Sequence, residues 1–368
     1  MTELLLKPRT LGIADLSGIT ALGRIENDAF LLSRSPKGYK LKTPVTISIE
    51  TILSVGQRGL VEYIVCSLAS ERPRLIPLVL ENRSLLELAR YLLRYRTASA
   101  KTLYVNVDCI ARYARRTGIS PDQLLADVKD DNGLPRYERV PKHVKALEDY
   151  ASELQDRGLA SSRVANYAKT LRSLYRVNGV DIKLPYALSR RSVRRDRAPK
   201  LEELGRLVDV ADLREKVIIS LLALGGFREG TLVRLQYRHV RHDLENGIMP
   251  IHVHVESEIT KGKYHDYDTF LGAEAAEYLK LYMEKRTQGS PDGKIPPETL
   301  DDRSPLVRDA QSIAPKPIGE KQIYKLVHGV YHKAGLLNKT ENGGYDLRVH
   351  SLRKYFKTQL MALGVQSD

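Results

Sequence analysis

Read for the spacing of its apolar residues, the chain changes character twice. Over residues 1–80, short β-branched stretches lie between Gly and Pro; Val45-Thr46-Ile47-Ser48-Ile49 alternates with period two, which predicts a small, partly β module. From Ser84 the period turns helical, with Leu85, Leu86, Leu88, Ala89, Leu92 and Leu93 at i, i+3, i+4 and i+7 spacings. Further helices are predicted over Ala100–Arg116, stopped by Gly118, and from Ser120-Pro121. Two more run over Pro141–Arg157 and Ser161–Val177, ended by Gly158 and Gly179. Together they make a helical domain over residues 81–179.

Residues 180–200 carry no such period. Leu184-Pro185 leads into Ser189-Arg190-Arg191-Ser192-Val193-Arg194-Arg195-Asp196-Arg197-Ala198-Pro199, a run too charged to bury, which predicts an extended basic linker. After Pro199 helical spacing returns over Leu201–Val210 and Leu213–Leu224, the latter closed by Gly225-Gly226, and a short helix is expected from Glu229 to Leu235. Met249, Ile251, Val253 and Val255 then alternate with Pro250, His252 and His254, the period of a half-buried strand. A turn at Thr260–Lys263 precedes a second strand over Tyr264–Leu271, and helices over Ala273–Lys285, Glu320–Ala334 and His350–Leu363 complete a mixed α/β domain, residues 201–368. The expected fold class is mainly α with a small β-sheet.

Charge adds a partner to this picture. The chain of 368 residues carries 59 Lys and Arg against 45 Asp and Glu, a net +14, which points to a polyanion and first of all to nucleic acid. Cations line the predicted helices: Lys101, Arg112, Arg115 and Arg116 on one, Arg163, Lys169, Arg172 and Arg176 on another. With Arg190, Arg191, Arg194 and Arg195 of the linker they are candidates for phosphate contact. Only Cys66 and Cys109 are present, which excludes a disulfide framework and a Cys-based zinc module. His252 and His254 share a strand face, with His239, His242 and His265 near in sequence; without acidic or Cys partners at ligand spacing they read as exposed strand histidines, and no metal is expected. The longest apolar run, Val217–Leu224, suits a buried helix and no bilayer, so a cytoplasmic protein without a membrane partner is expected.

Three short pieces of the last domain carry candidate chemistry. Gly225-Gly226-Phe227-Arg228-Glu229-Gly230-Thr231 sets an Arg at a Gly-marked helix junction, where a guanidinium fork suits phosphate oxygens. Thr260-Lys261-Gly262-Lys263 puts Lys261 at the tip of the expected hairpin. His350-Ser351-Leu352-Arg353 places a proton-transfer group and a fixed cation on one helix face. Each alone is commonplace on a protein surface.

In this order, and behind a basic linker, the three pieces resemble the active site of the tyrosine recombinases. The resemblance covers residues 84–368 and implies a helical core-binding (SAM-like) domain followed by the family's catalytic domain. It implies that Arg228 and Arg353 hold the scissile phosphate, that Lys261 protonates the leaving 5′ oxygen and that His350 helps accept the proton of the attacking phenol. DNA would be cut and rejoined through a 3′-phosphotyrosyl bond, with no cofactor, on double-stranded attachment sites synapsed by a homo-tetramer. The sequence departs from the family in two places. The nucleophilic Tyr is expected beyond Asp368, Tyr355 matching a packing position instead, so residues 1–368 are expected to hold a phosphate without cutting it. Thr231 stands where the family often has an acid that supports the first Arg, and Glu229 is the candidate substitute. The alternatives are a catalytically inactive DNA-binding regulator or remnant, and a type IB topoisomerase, which the core-binding domain disfavours.

Overall fold

The computed structural model describes residues 17–96, 98–188, 196–260, 262, 265–340 and 343–365. The chain divides into two compact units, Met1–Ser192 and Val193–Asp368.

The first unit opens with a one-turn helix α1 (Ser17–Thr20) and an antiparallel sheet of β1 (Gly23–Glu26), β2 (Ala29–Arg34) and β3 (Lys40–Ser48) in the order β1-β2-β3. The alternation falls on β3 as far as Ser48, with Val45 and Ile47 buried, and Ile49 opens the next helix. Four elements that the sequence period did not predict follow: α2 (Ile49–Ser54), α3 (Arg58–Ala69), a 3-10 turn at Pro73–Leu75 and α4 (Ile76–Glu81). Pro73 and Pro77 stand in the first turns of the last two, where a missing N–H is harmless. Then come α5 (Arg83–Tyr95), α6 (Ala100–Thr117), α7 (Pro121–Asp127), α8 (Val140–Asp156) and α9 (Ser161–Val177). Ser99 caps α6 by accepting from the Thr102 N–H at 3.4 Å, and Gly118 ends it at φ 71°, a left-handed conformation that suits Gly. One apolar core runs without a break from Ile19 to Ile182, so the sheet and all these helices are packed together.

The second unit holds α10 (Leu201–Val210), α11 (Leu213–Ala223), α12 (Glu229–Leu232), α13 (Arg241–Asn246), β4 (Ile251–Val255), β5 (Tyr267–Leu271), α14 (Ala273–Gln288), α15 (Glu320–Lys333) and α16 (Val349–Ala362). Its core is separate and centres on α11, buried almost all round, which Asp212 and Glu215 start with reciprocal caps of 2.8 and 2.9 Å. β4 and β5 pair antiparallel, Val255 opposite Tyr267. The helix expected to reach Leu235 stops at Leu232 because the next backbone groups bond elsewhere: Leu306 N–H donates to Leu235 at 2.8 Å and Tyr237 N–H to Ser304 at 2.8 Å. A buried charge cluster pins the long loop before α15, with Glu298 accepting from Arg286 at 2.7 Å and from Arg308. Mostly helical with two small antiparallel sheets, the chain has the expected fold class. Among the described residues no helix is long and apolar enough to cross a membrane.

Candidate active site and nucleic-acid interface

The turn that carries Arg228 is shaped by what presses on it. Gly226 has φ 65°, and a Cβ there would lie 2.2 Å from the Phe356 ring of α16; one on Gly225 would meet Phe227 at 2.6 Å and Leu271 of β5 at 2.7 Å. The buried Thr269 hydroxyl donates to the Gly225 carbonyl at 2.9 Å. Two glycines thus let the turn lie close against both β5 and α16. It delivers Arg228, exposed, immediately before α12.

Arg353 stands one helical turn after His350 on α16, half-buried, while His350 is exposed. Burial, and then the positive charge of Arg228, push the Arg353 guanidinium below its ordinary value; Tyr267 of β5 works the other way. The Tyr267 phenol is itself pushed up by burial, and Arg353, Thr231 and Arg228 pull it back. Arg228, Arg353, Tyr267 and Thr231 are therefore neighbours. Among the described residues no carboxylate forms an ion pair with either arginine. Two like charges with no counter-ion, one of them partly desolvated, make a site that favours an anion between them.

Several expectations shift here. Glu229 makes no ion pair with Arg228 among the described residues, and in place of an acid the site has Thr231, buried, with its hydroxyl beside the Tyr267 phenol. Lys261 lies outside the described residues, as do Arg190, Arg191, Arg194 and Arg195. Tyr355 packs in the core at 7% exposure. Sequence reading missed Tyr267: it follows the expected hairpin tip, but only the pairing of β5 with β4 and the closeness of the Gly225-Gly226 turn bring it to the arginines. His252 and His254 are exposed on β4, and the acidic partners that spacing did not show come from across the hairpin. Asp268 bonds His252 at 2.7 Å and His254 at 3.0 Å, with Asp266 3.4 Å from His254. Asp268, then Asp266, raises the affinity of His254 for its proton. Among the described residues no group of three or more such side chains has a metal-binding arrangement.

In the first unit the basic candidates divide between two faces. Arg112 and Arg115 of α6 and Arg163 of α9 line a cleft of about 440 Å³ together with Arg116, Arg157, Tyr150 and Tyr167. Asp108 holds Arg112 at 2.8 Å, and Glu153 holds Arg116 at 2.6 Å and Arg157 at 3.8 Å, which leaves Arg115 and Arg163 without an acid among the described residues. Lys101 is exposed on α6, eleven residues before Arg112 and so on the same helix face. Lys169 and Arg172 turn to a second cleft, walled by Leu184, Tyr186 and Leu188 of the unit's own exit segment, and Arg172 donates to the Ile182 carbonyl at 3.0 Å. Six candidates that were grouped on sequence thus do not share one surface.

Comparison with known proteins adds a family to this arrangement. Residues 198–368 match the phage integrase family. The second unit thus carries a phage integrase domain, the domain of the tyrosine recombinases. The protein is a DNA breaking-and-rejoining enzyme, a site-specific recombinase, and the match covers Arg228, Lys261, His350 and Arg353. Among solved structures, the Tn1549 transposon integrase in complex with transposon right end DNA is 14% identical, over 75% of this chain and 86% of that one, with a TM-score of 0.50; at this identity the likeness is one of fold. A lambda integrase dimer bound to a COC′ core site is 16% identical over 75% and 89% of the two chains, with a TM-score of 0.49. No curated protein matches the chain.

Proposed function

We propose that this recombinase clamps the scissile phosphate between Arg228 and Arg353, which would stabilise the extra negative charge of a pentavalent transition state. His350, a turn before Arg353, would take the proton of the attacking phenol, and Lys261 would protonate the leaving 5′ oxygen. Neither metal nor nucleotide is required, because a phosphotyrosyl bond conserves the energy of the phosphodiester. The observation that carries this reading is the pair of neighbouring arginines without a carboxylate partner among the described residues. Duplex affinity would come from the first unit, led by Arg115 and Arg163, whose charge is not cancelled internally, with Lys101 and Arg112 beside them and the linker arginines adding to it. Lys169 and Arg172 are set aside from this contact by their second, self-covered cleft. Attachment-site DNA as substrate, a homo-tetramer on the synapse, and a place in the cytoplasm with the nucleoid complete the reading.

A duplex selected by the protein from a random-sequence pool provides the probe. Replacing its phosphates one at a time by neutral methylphosphonates should reveal one position where wild type loses affinity about tenfold and Arg353→Ala loses little, since charge-assisted bonds to that phosphate are already gone. A scan in which Arg353→Ala responds like wild type at every phosphate would overturn the clamp.

A further inference from the structure

The roles above leave unexplained a charge network where the chain enters the second unit. The Asp196 carboxylate accepts from Arg348 at 3.0 Å and Lys354 at 3.1 Å, and its main-chain carbonyl accepts from Lys354 at 2.6 Å. Arg348 immediately precedes α16 and Lys354 lies in its second turn, so one acid ties together residues on either side of His350 and Arg353. Asp196 is 11% exposed, and among the described residues it is the only acid paired with either cation. Among the described residues the buried Nε of Arg348 has no partner, and Asp196 is the acid that compensates this guanidinium.

The next residue doubles the attachment. Arg197 donates its main-chain N–H to the Asp346 carbonyl at 2.9 Å and its Nε to the Asp346 carboxylate at 2.9 Å; its two Nη groups reach Glu203 at 2.6 and 2.7 Å. Glu203 also accepts from the Lys200 N–H at 2.7 Å, which fixes the start of α10. From the other side, the fully buried Ser351 hydroxyl accepts the Arg348 N–H at 3.0 Å. The first turn of α16, which carries His350, is held from both directions.

We infer that Asp196 is a positioning residue for the phosphate clamp: by pinning Arg348 and Lys354 it fixes the entry and rotation of α16, and hence where Arg353 and His350 stand. The inference rests on the reading of Arg228 and Arg353 as that clamp. A partly buried, multiply bonded pair holds geometry better than an exposed one, and removing its acid leaves a buried cation free to seek another partner. The carboxyl is held in its charged form: burial opposes this, but the hydrogen bond from Lys354, its own backbone and the charges of Arg348 and Lys354 prevail.

The test uses the phosphate found by the methylphosphonate scan. Neutralising it should weaken wild type about tenfold, Asp196→Asn only about two- to threefold, and Asp196→Glu nearly as much as wild type, all measured well below the melting temperature of each protein. A merely electrostatic role predicts the opposite sign, since deleting a negative charge beside the site strengthens phosphate binding. Undiminished or enhanced discrimination in Asp196→Asn therefore overturns the proposal, as does a loss that only tracks a lowered melting temperature. Should Asp196→Asn fail to fold, Lys354→Gln, which alters a side chain 39% exposed, is expected to reduce discrimination in the same direction, and full discrimination there overturns it too. If Arg353→Ala loses discrimination and the Asp196 variants keep it, only this inference falls; if Arg353→Ala also keeps it, the clamp falls first.

Discussion

Arg112, Arg116 and Arg157 of the first unit are matched by Asp108 and Glu153, whereas Arg228 and Arg353 of the second lie within reach of each other's charge with no carboxylate paired to them among the described residues. The first set is exposed, on helix surfaces, in a cleft with Tyr150 and Tyr167 in its walls. The second is seated by a Gly-Gly turn pressed on Phe356 and by a helix capped from two sides. Partial neutralisation suits a surface that must hold and release a long polyanion, because many weak, screened contacts add up without fixing any one of them. Leaving two guanidinium groups unpaired in a partly desolvated place makes sense only where one anion of set geometry fills the gap. On the proposed reading the same residue type supplies affinity in one unit and chemistry in the other, and its acid partners tell the two apart.

The contrast is broken most severely at Gly226. Gly226→Val must adopt a left-handed backbone and push the Phe356 ring aside, a destabilisation of roughly 2–4 kcal/mol. Thermal unfolding should show the second unit melting early while the first, with its separate core, keeps its transition. Phe356→Leu should recover part of the loss in the double variant, and strict additivity would show that the ring is not the obstacle.

Next in size is the division of labour itself. Arg353→Ala should erase the response to the neutralised phosphate while total duplex affinity falls by no more than about threefold. Arg115→Ala and Arg163→Ala should each lower the slope of log affinity against log salt by about one and leave the phosphate-specific response intact. Equal effects of all three on both measurements would dissolve the distinction.

Much of this was legible in the chain, and the rest was hidden for definite reasons. Helices α6, α9, α10 and α11 follow from apolar spacing and from Gly118, Gly179 and Gly225-Gly226 as stops. α3 and α4 did not: Leu60, Val61, Ile64, Val65 and Leu68 form a good helical stripe, but Gly56, Gly59, Pro73 and Pro77 around it read as loop punctuation, and the two prolines turn out to sit in first turns. Arg228, His350 and Arg353 stood out as candidates because their motifs are local. The nearness of Tyr267 to the two arginines and the ties of Asp196 to Arg348 and Lys354 did not, since each depends on residues tens of positions away. The division of Arg163 from Lys169 and Arg172 was likewise invisible until the exit segment was seen to cover one face of α9.

A smaller effect separates the units by pH. Glu203 of the second unit is held down to about 2, first by its hydrogen bond from Arg197, and Glu256 to about 2, where His239, Arg238 and backbone bonds outweigh burial. Folded values below the ordinary 4.5 mean that this stability is fully present above about 4.5 and drains away as pH falls toward 2. Glu203→Gln should therefore lower the melting temperature of the second unit at pH 7 and make its acid limb shallower. In the first unit Asp127, held down to about 2 by His143 and Lys142, keeps its own acid limb, which Glu203→Gln should leave untouched.

The finest test concerns Thr231, the position where the family often has an acid. Its hydroxyl is buried and lies beside the Tyr267 phenol, so Thr231→Val, of nearly equal shape, should shift the stability of the second unit by no more than ~1 kcal/mol. An acid there would neutralise Arg228 directly; a hydroxyl beside Tyr267 leaves both arginines their full charge. If that surplus charge is what makes the site differ from the paired arginines of the first unit, Thr231→Val should leave the phosphate response unchanged and Thr231→Asp should weaken it, because the new carboxylate competes with the phosphate for the guanidinium groups. A stronger response in Thr231→Asp would mean that these arginines need an acid to orient them, and that their lack of a carboxylate is a deficit in the clamp and not its working principle.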